Sequence, residues 1–208
     1  AAADVRPLET HANWTASDVA DTEAWTHRLT GDDVAELESA LAVARSRTDE
    51  VLDVRQDDFP LPALGPVLGG LADQLINGRG FQRISALPVE RLGFDDASWM
   101  YWGIGLHLGV PWPQNVKGHL LGDVKDQGKR PDDPTARGNE LGGVGQAFHS
   151  DGSDLVGLMC LDPGISGGES LIANAVGAYN KLVASEPELA GALFDGLPYD
   201  FRGEQRDG

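Results

Sequence analysis

Residues 146–161 read QAFHSDGSDLVGLMCL, and the reading of this stretch decides the fold. His149 and Asp151 stand two residues apart in it, and the apolar run LVGLMCL follows at 155–161. On an extended segment, residues i and i+2 project to the same face, so one imidazole and one carboxylate there can grip one metal ion. Fe(II) held by two His and one carboxylate keeps open positions for a bidentate oxoacid and dioxygen, and the stretch supplies part of that donor set. The spacing is weak evidence by itself. With five histidines in the chain, about half an H-x-D match arises by chance.

Working outward, LVGLMCL and ESLIANA (169–175) are short apolar runs separated by DPGISGG, which predicts adjacent strands joined by a Gly-rich turn. NAVGAYNKLVASEP and PELAGALF beyond them predict helices. Toward the N-terminus, TGDDVAELESALAVARSR places Val34, Leu37, Leu41 and Ala44 at helical spacing behind Thr30 or Asp32 as cap. Leu64, Val67, Leu68, Leu71 and Leu75 form a second series that closes at Asn77-Gly78 and feeds a strand at FQRIS. DDASWMYWGIGLHLG predicts a third helix, capped near Asp95 or Asp96 and interrupted by Gly103 and Gly105. Trp99, Trp102 and Trp112 in and after it are expected in the core or a pocket wall.

Taken in order, FHSD, DLVGLMCL, SGGESLIANAVGAYNKL and PYDFRGE resemble the TauD/TfdA family of iron(II)- and 2-oxoglutarate-dependent dioxygenases, from about Gly80 to the end of the chain. The resemblance implies a mainly β fold with flanking helices, a double-stranded β-helix or jelly roll like that of clavaminate synthase. On that view residues 1–79 are an N-terminal extension with helices packing on the core, and residues 80–208 are the N-terminal portion of the jelly roll, within a single domain overall. The cofactors implied are Fe(II) and the co-substrate 2-oxoglutarate, with dioxygen and a small-molecule substrate as partners. The reaction implied is hydroxylation of an unactivated C–H bond, with release of succinate and CO2.

By motif position, His149 and Asp151 resemble the first two iron ligands and the catalytic pair. Ser170, in GGES, falls where the family places a hydroxyl against a 2-oxoglutarate carboxylate, and Gly167 and Gly168 permit the turn before it. Halogenating relatives replace the carboxylate with a small residue, so an intact Asp151 points to oxygen insertion or desaturation. The family takes its third ligand, a His, and an oxoglutarate-pairing Arg from a C-terminal segment. No His follows His149 here, and Arg202 and Arg206 do not fit the oxoglutarate role. The expectation is therefore a chain lacking its C-terminal part, since half a jelly roll leaves open strand edges. The other reading is a relative that has lost its metal.

Composition narrows the partners. Lys and Arg number 16 against 33 Asp and Glu, a formal charge of −17, which disfavours a grip on phosphate backbones or anionic lipid. Neither nucleic acid nor membrane is expected as a partner, and a homo-oligomer stays open. The single Cys160 forms no internal disulfide, and the sequence contains no secretory or spanning run, so a cytoplasmic location is expected.

Gln114 and Asn115, after PWP, are candidates for the co-substrate pocket, with turn chemistry as the plain alternative. Gln146 is a weaker pocket candidate. His107 and His119 read as structural, and His11 and His27 as exposed. Residues 125–145 are rich in Gly, Pro and charge, which suits either a lid or a surface excursion. The cations Lys129, Arg130 and Arg137 there suit an anionic substrate or simple surface pairing. The run DGSD at 151–154 admits Ca²⁺, so a non-catalytic jelly roll binding a small molecule, or a carbohydrate with Ca²⁺, is the alternative to an enzyme.

Overall fold

The computed structural model describes residues 5–115, 117–130, 132, 138–143, 145–196 and 198. They fall into two compact units, one made of Asp21–Asp123 and His149–Gly168, the other of Ala1–Ala20, Val124–Phe148 and Glu169–Gly208.

The first unit is built on three helices, α1 (Gly31–Arg47), α2 (Leu64–Ile76) and α3 (Val89–Leu108). α1 starts where a capping box can close. Thr30 Oγ1 accepts the Asp33 N–H at 3.2 Å, and the Asp33 carboxylate accepts the Thr30 N–H at 2.8 Å. Leu37, Leu41 and Ala44 of the predicted series form its buried stripe together with Ala40, and Val34 is partly buried against the core. α2 has no side-chain cap of its own. Instead Glu36 of α1 accepts the Ala63 and Leu64 N–H groups at 2.7 and 2.9 Å, setting a carboxylate at the positive end of the helix.

α3 begins earlier than expected, at Val89, and breaks at Gly93, whose φ of 71° is outside the helical range. It then runs unbroken through Gly103 and Gly105, which were expected to interrupt it. Gly103 serves a packing purpose: a Cβ there would stand 2.5 Å from the Phe59 ring, so only glycine lets ring and helix meet. Trp99, Met100 and Trp102 of α3 join Leu37, Leu64 and Leu68 in one apolar core. The Trp102 indole donates to the Val54 carbonyl at 3.1 Å. Trp112, beyond the helix, is 71% exposed and belongs to no core. Arg45 ties α1 to α3, lying 4.7 Å over the Trp99 ring and pairing with Asp95 and Asp96.

Two three-residue strands, β1 (Thr26–Arg28) and β2 (Arg83–Ser85), pair in parallel with His27 opposite Ile84. Among the described residues these are the strands that form, so the described fold is helical rather than mainly β. The runs expected as adjacent strands, 155–161 and 169–175, carry no ladder. A strand exists by pairing, and neither run finds a partner row of N–H and C=O groups here. The first run keeps the strand period nonetheless. Leu155, Met159 and Leu161 are half-buried, while Val156 and Leu158 are 56% and 76% exposed.

In the second unit, α4 (Ala175–Ser185) and α5 (Pro187–Ala192) appear where they were expected. Asn174 caps α4 by accepting the Gly177 N–H at 2.9 Å and also donates to the Trp14 carbonyl at 2.6 Å. Asn180 grips Leu8 twice, at its N–H (2.7 Å) and its carbonyl (2.9 Å), as a neighbouring strand would. Among the described residues no helix is long and apolar enough to cross a membrane.

Candidate active site

His149 and Asp151 lie together: His149 Nε2 is 3.9 Å from Asp151 Oδ1, and both side chains are 56% exposed. At that separation and exposure the pair contributes little to stability, so the juxtaposition needs another reason. The two residues stand at i and i+2 of a segment that is neither helix nor paired strand. Among the described residues no cluster of three or more His, Cys, Asp or Glu forms, so the pair stands as two donors.

The two donors fit a first-row divalent ion in type and nearly in spacing. With metal–nitrogen and metal–oxygen bonds of about 2.1 Å, adjacent octahedral positions put the donor atoms ~3 Å apart. The observed 3.9 Å closes to that value with about 1 Å of side-chain rotation.

Gln114 and Asn115 sit in the same unit and build their own loop. The Gln114 N–H donates to the His119 carbonyl at 2.7 Å and its side-chain amide to the Leu120 carbonyl at 2.9 Å. Asn115 Oδ1 accepts the Lys117 and His119 N–H groups at 3.0 and 3.3 Å, and its Nδ2 lies 3.1 Å from His119 Nδ1. His119 thus sits in this loop, where its backbone and ring bond to Asn115, in keeping with a structural role. His107 is structural too: its Nε2 lies 2.8 Å from the Phe59 carbonyl, which requires the proton there, and Nδ1 faces the Gln56 amide at 3.3 Å.

Ser170 belongs to the other unit and is exposed. Gly167 and Gly168 before it both have φ of 80°, the left-handed turn their sequence implies. In the 125–145 region Lys129 pairs with Glu140 at 2.7 Å in a part-buried contact, and Arg130 pairs with Asp132 at 2.9 Å on the surface. Arg137, Arg202, Arg206 and most of PYDFRGE lie outside the described residues.

A model of the family described as taurine catabolism dioxygenase TauD, TfdA family, matches residues 17–207. The chain belongs to the TauD/TfdA family. The match also takes in the helices α1 and α2, upstream of the motifs that carry the resemblance. The chain is similar to FR-33289 synthase of Streptomyces rubellomurinus, with 30% identity over 204 residues, covering 98% of this chain and 60% of that protein. It is also similar to the taurine hydroxylase-like protein SAT17 of Stachybotrys chartarum, at 24% over 190 residues, covering 86% and 48%. The chain therefore spans about half to three-fifths of the length of these curated relatives.

TauD/TfdA proteins are iron(II)- and 2-oxoglutarate-dependent oxygenases of jelly-roll fold with flanking helices. Among the described residues of this chain, helices are the elements that form most fully.

One feature of the segment was not legible in the motif. Tyr101 of α3 places its hydroxyl against the backbone at Gly157, where a Cβ would stand only 2.7 Å from the oxygen. The signal available in sequence was a glycine inside an otherwise apolar run, which marks close backbone approach.

Proposed function

We propose that this chain carries the iron-binding His–Asp pair of an Fe(II)- and 2-oxoglutarate-dependent oxygenase that hydroxylates an unactivated C–H bond of a small molecule. The observation that supports this most directly is the 3.9 Å approach of His149 Nε2 to Asp151 Oδ1 inside a chain of the TauD/TfdA family. Iron and 2-oxoglutarate, when bound, supply the chemistry that splits dioxygen and oxidises a C–H bond while succinate and CO2 leave.

The residues of the chain bind and orient. His149 offers an imidazole nitrogen and Asp151 a carboxylate oxygen, donor types that suit iron(II). Keeping a carboxylate at position 151 favours oxygen insertion or desaturation over halogenation, because the coordination position is filled by protein. Ser170 offers a hydroxyl donor to a 2-oxoglutarate carboxylate. The side-chain amides of Gln114 and Asn115 are the further co-substrate contacts in this reading, held in place by the loop bonds they make to residues 117–120.

The test is succinate formation from 2-oxoglutarate by the full-length protein with Fe(II), ascorbate and dioxygen. Succinate that requires all the components supports the reading. No turnover, together with a rise in Tm on adding Ca²⁺, would replace it with the Ca²⁺-dependent binding protein.

A further inference from the structure

We propose that Tyr101 is a positioning residue for the His149–Asp151 pair, acting through its packing on the backbone of Gly157. The inference rests on the oxygenase reading above and deepens it.

Tyr101 sits on α3 between residues that cannot move without disturbing the core. Met100 is fully buried and Trp102, 6% exposed, is tied to the Val54 carbonyl. Their packing fixes the stretch of helix that carries Tyr101. A Cβ at position 157 would stand 2.7 Å from the Tyr101 oxygen, 3.5 Å from Cζ and 3.6 Å from Cε2. A side chain at 157 would press on the hydroxyl end of Tyr101, so ring or chain would have to shift. Burial also raises the Tyr101 hydroxyl above its ordinary value, in keeping with a phenol covered by chain rather than open to water.

Gly157 is itself exposed but falls in the alternate set of the half-buried Leu155, Met159 and Leu161, so the Tyr101 contact is a seat between them along the run. Between this seat and Asp151 are five residues, braced by a Ser153 Oγ donation to the Leu155 carbonyl at 3.0 Å. The run has no ladder to set its register, so a side chain on a rigid helix is what locates it. The donor pair needs about 1 Å of closure to hold an ion, a margin that a shift at the seat removes.

Three variants of the full-length protein test this: Gly157→Ala, Tyr101→Phe and the two combined. Two quantities are read on each, the affinity for Co(II) from its visible absorption and amide hydrogen exchange over residues 149–159 in metal-free protein. Gly157→Ala is expected to weaken Co(II) binding about tenfold and to speed exchange across the segment. Tyr101→Phe removes the atom nearest the added methyl, so the double variant should recover both. Tyr101→Leu serves as a second variant should Gly157→Ala fail to fold, and it too should weaken Co(II) binding. Wild-type affinity and exchange in Gly157→Ala, or no recovery in the double variant, would overturn the inference and leave the oxygenase reading standing. Failure of the wild-type protein to bind Co(II) would overturn the oxygenase reading and this inference together.

Discussion

The ring of Phe59 lies where a side chain at position 103 would be, 2.5 Å from the Cβ that Gly103 lacks. Phe59 is fully buried, and its carbonyl faces His107 Nε2 at 2.8 Å, so the ring has little room to retreat. Gly103→Ala is expected to cost about 2 kcal/mol through overpacking, despite the better helix propensity of alanine. Thermal denaturation should read this as a fall in Tm of roughly 5 °C. Adding Phe59→Leu should recover part of the loss, whereas an unchanged Tm in Gly103→Ala would show that the ring moves freely.

Glu36 performs for α2 the service that a capping side chain normally performs for its own helix. Glu36→Ala leaves the Ala63 and Leu64 N–H groups without this acceptor and should destabilise the protein by about 1–2 kcal/mol. Glu36→Gln keeps one acceptor oxygen and should lose about half as much. Urea denaturation of the two variants checks the order.

The capping box of α1 predicts an acid-sensitive term. The Thr30 N–H and then its hydroxyl hold the Asp33 carboxyl below its ordinary value of 3.8. Because the folded value is the lower one, the stabilisation is full above pH ~4 and is lost as pH falls through the lowered value. The stability gap between wild type and Asp33→Asn should therefore be constant near neutrality and narrow below pH ~4. A gap independent of pH down to strong acid would contradict the assignment.

Asn115 separates a turn residue from a co-substrate contact. Asn115→Asp keeps the oxygen that accepts the Lys117 and His119 N–H groups, so the loop should persist. It also brings a negative charge toward a dicarboxylate. If Asn115 touches 2-oxoglutarate, its KM should rise roughly tenfold with little change in Tm. An unchanged KM would leave Asn115 with its loop alone.

The helical half of the fold was legible because its signals are local. Thr30 as cap, the spacing of Val34, Leu37, Leu41 and Ala44, and the apolar pattern of the α4 segment each act within a few turns of chain. What escaped were contacts between distant residues. Gly103 reads as a helix breaker until Phe59 is set beside it, and nothing near Leu64 foretells a cap from Glu36. The run at 155–161 has the composition and the alternation of a strand, but pairing depends on a partner elsewhere in space. Trp112, expected in the core or a pocket wall, stands beyond the end of α3 and is exposed. At the candidate site, the nearness of His149 and Asp151 followed from their i, i+2 spacing, while the Tyr101 contact six residues beyond Asp151 did not.

The central claim is that one ferrous ion is held by both His149 and Asp151. Anaerobic titration of Fe(II) into the full-length wild-type protein and into His149→Ala and Asp151→Ala tests it most directly. The account predicts saturable binding of one ion per chain in the wild type, weakened by about a hundredfold or more in each variant. Equal affinity in all three proteins would contradict it.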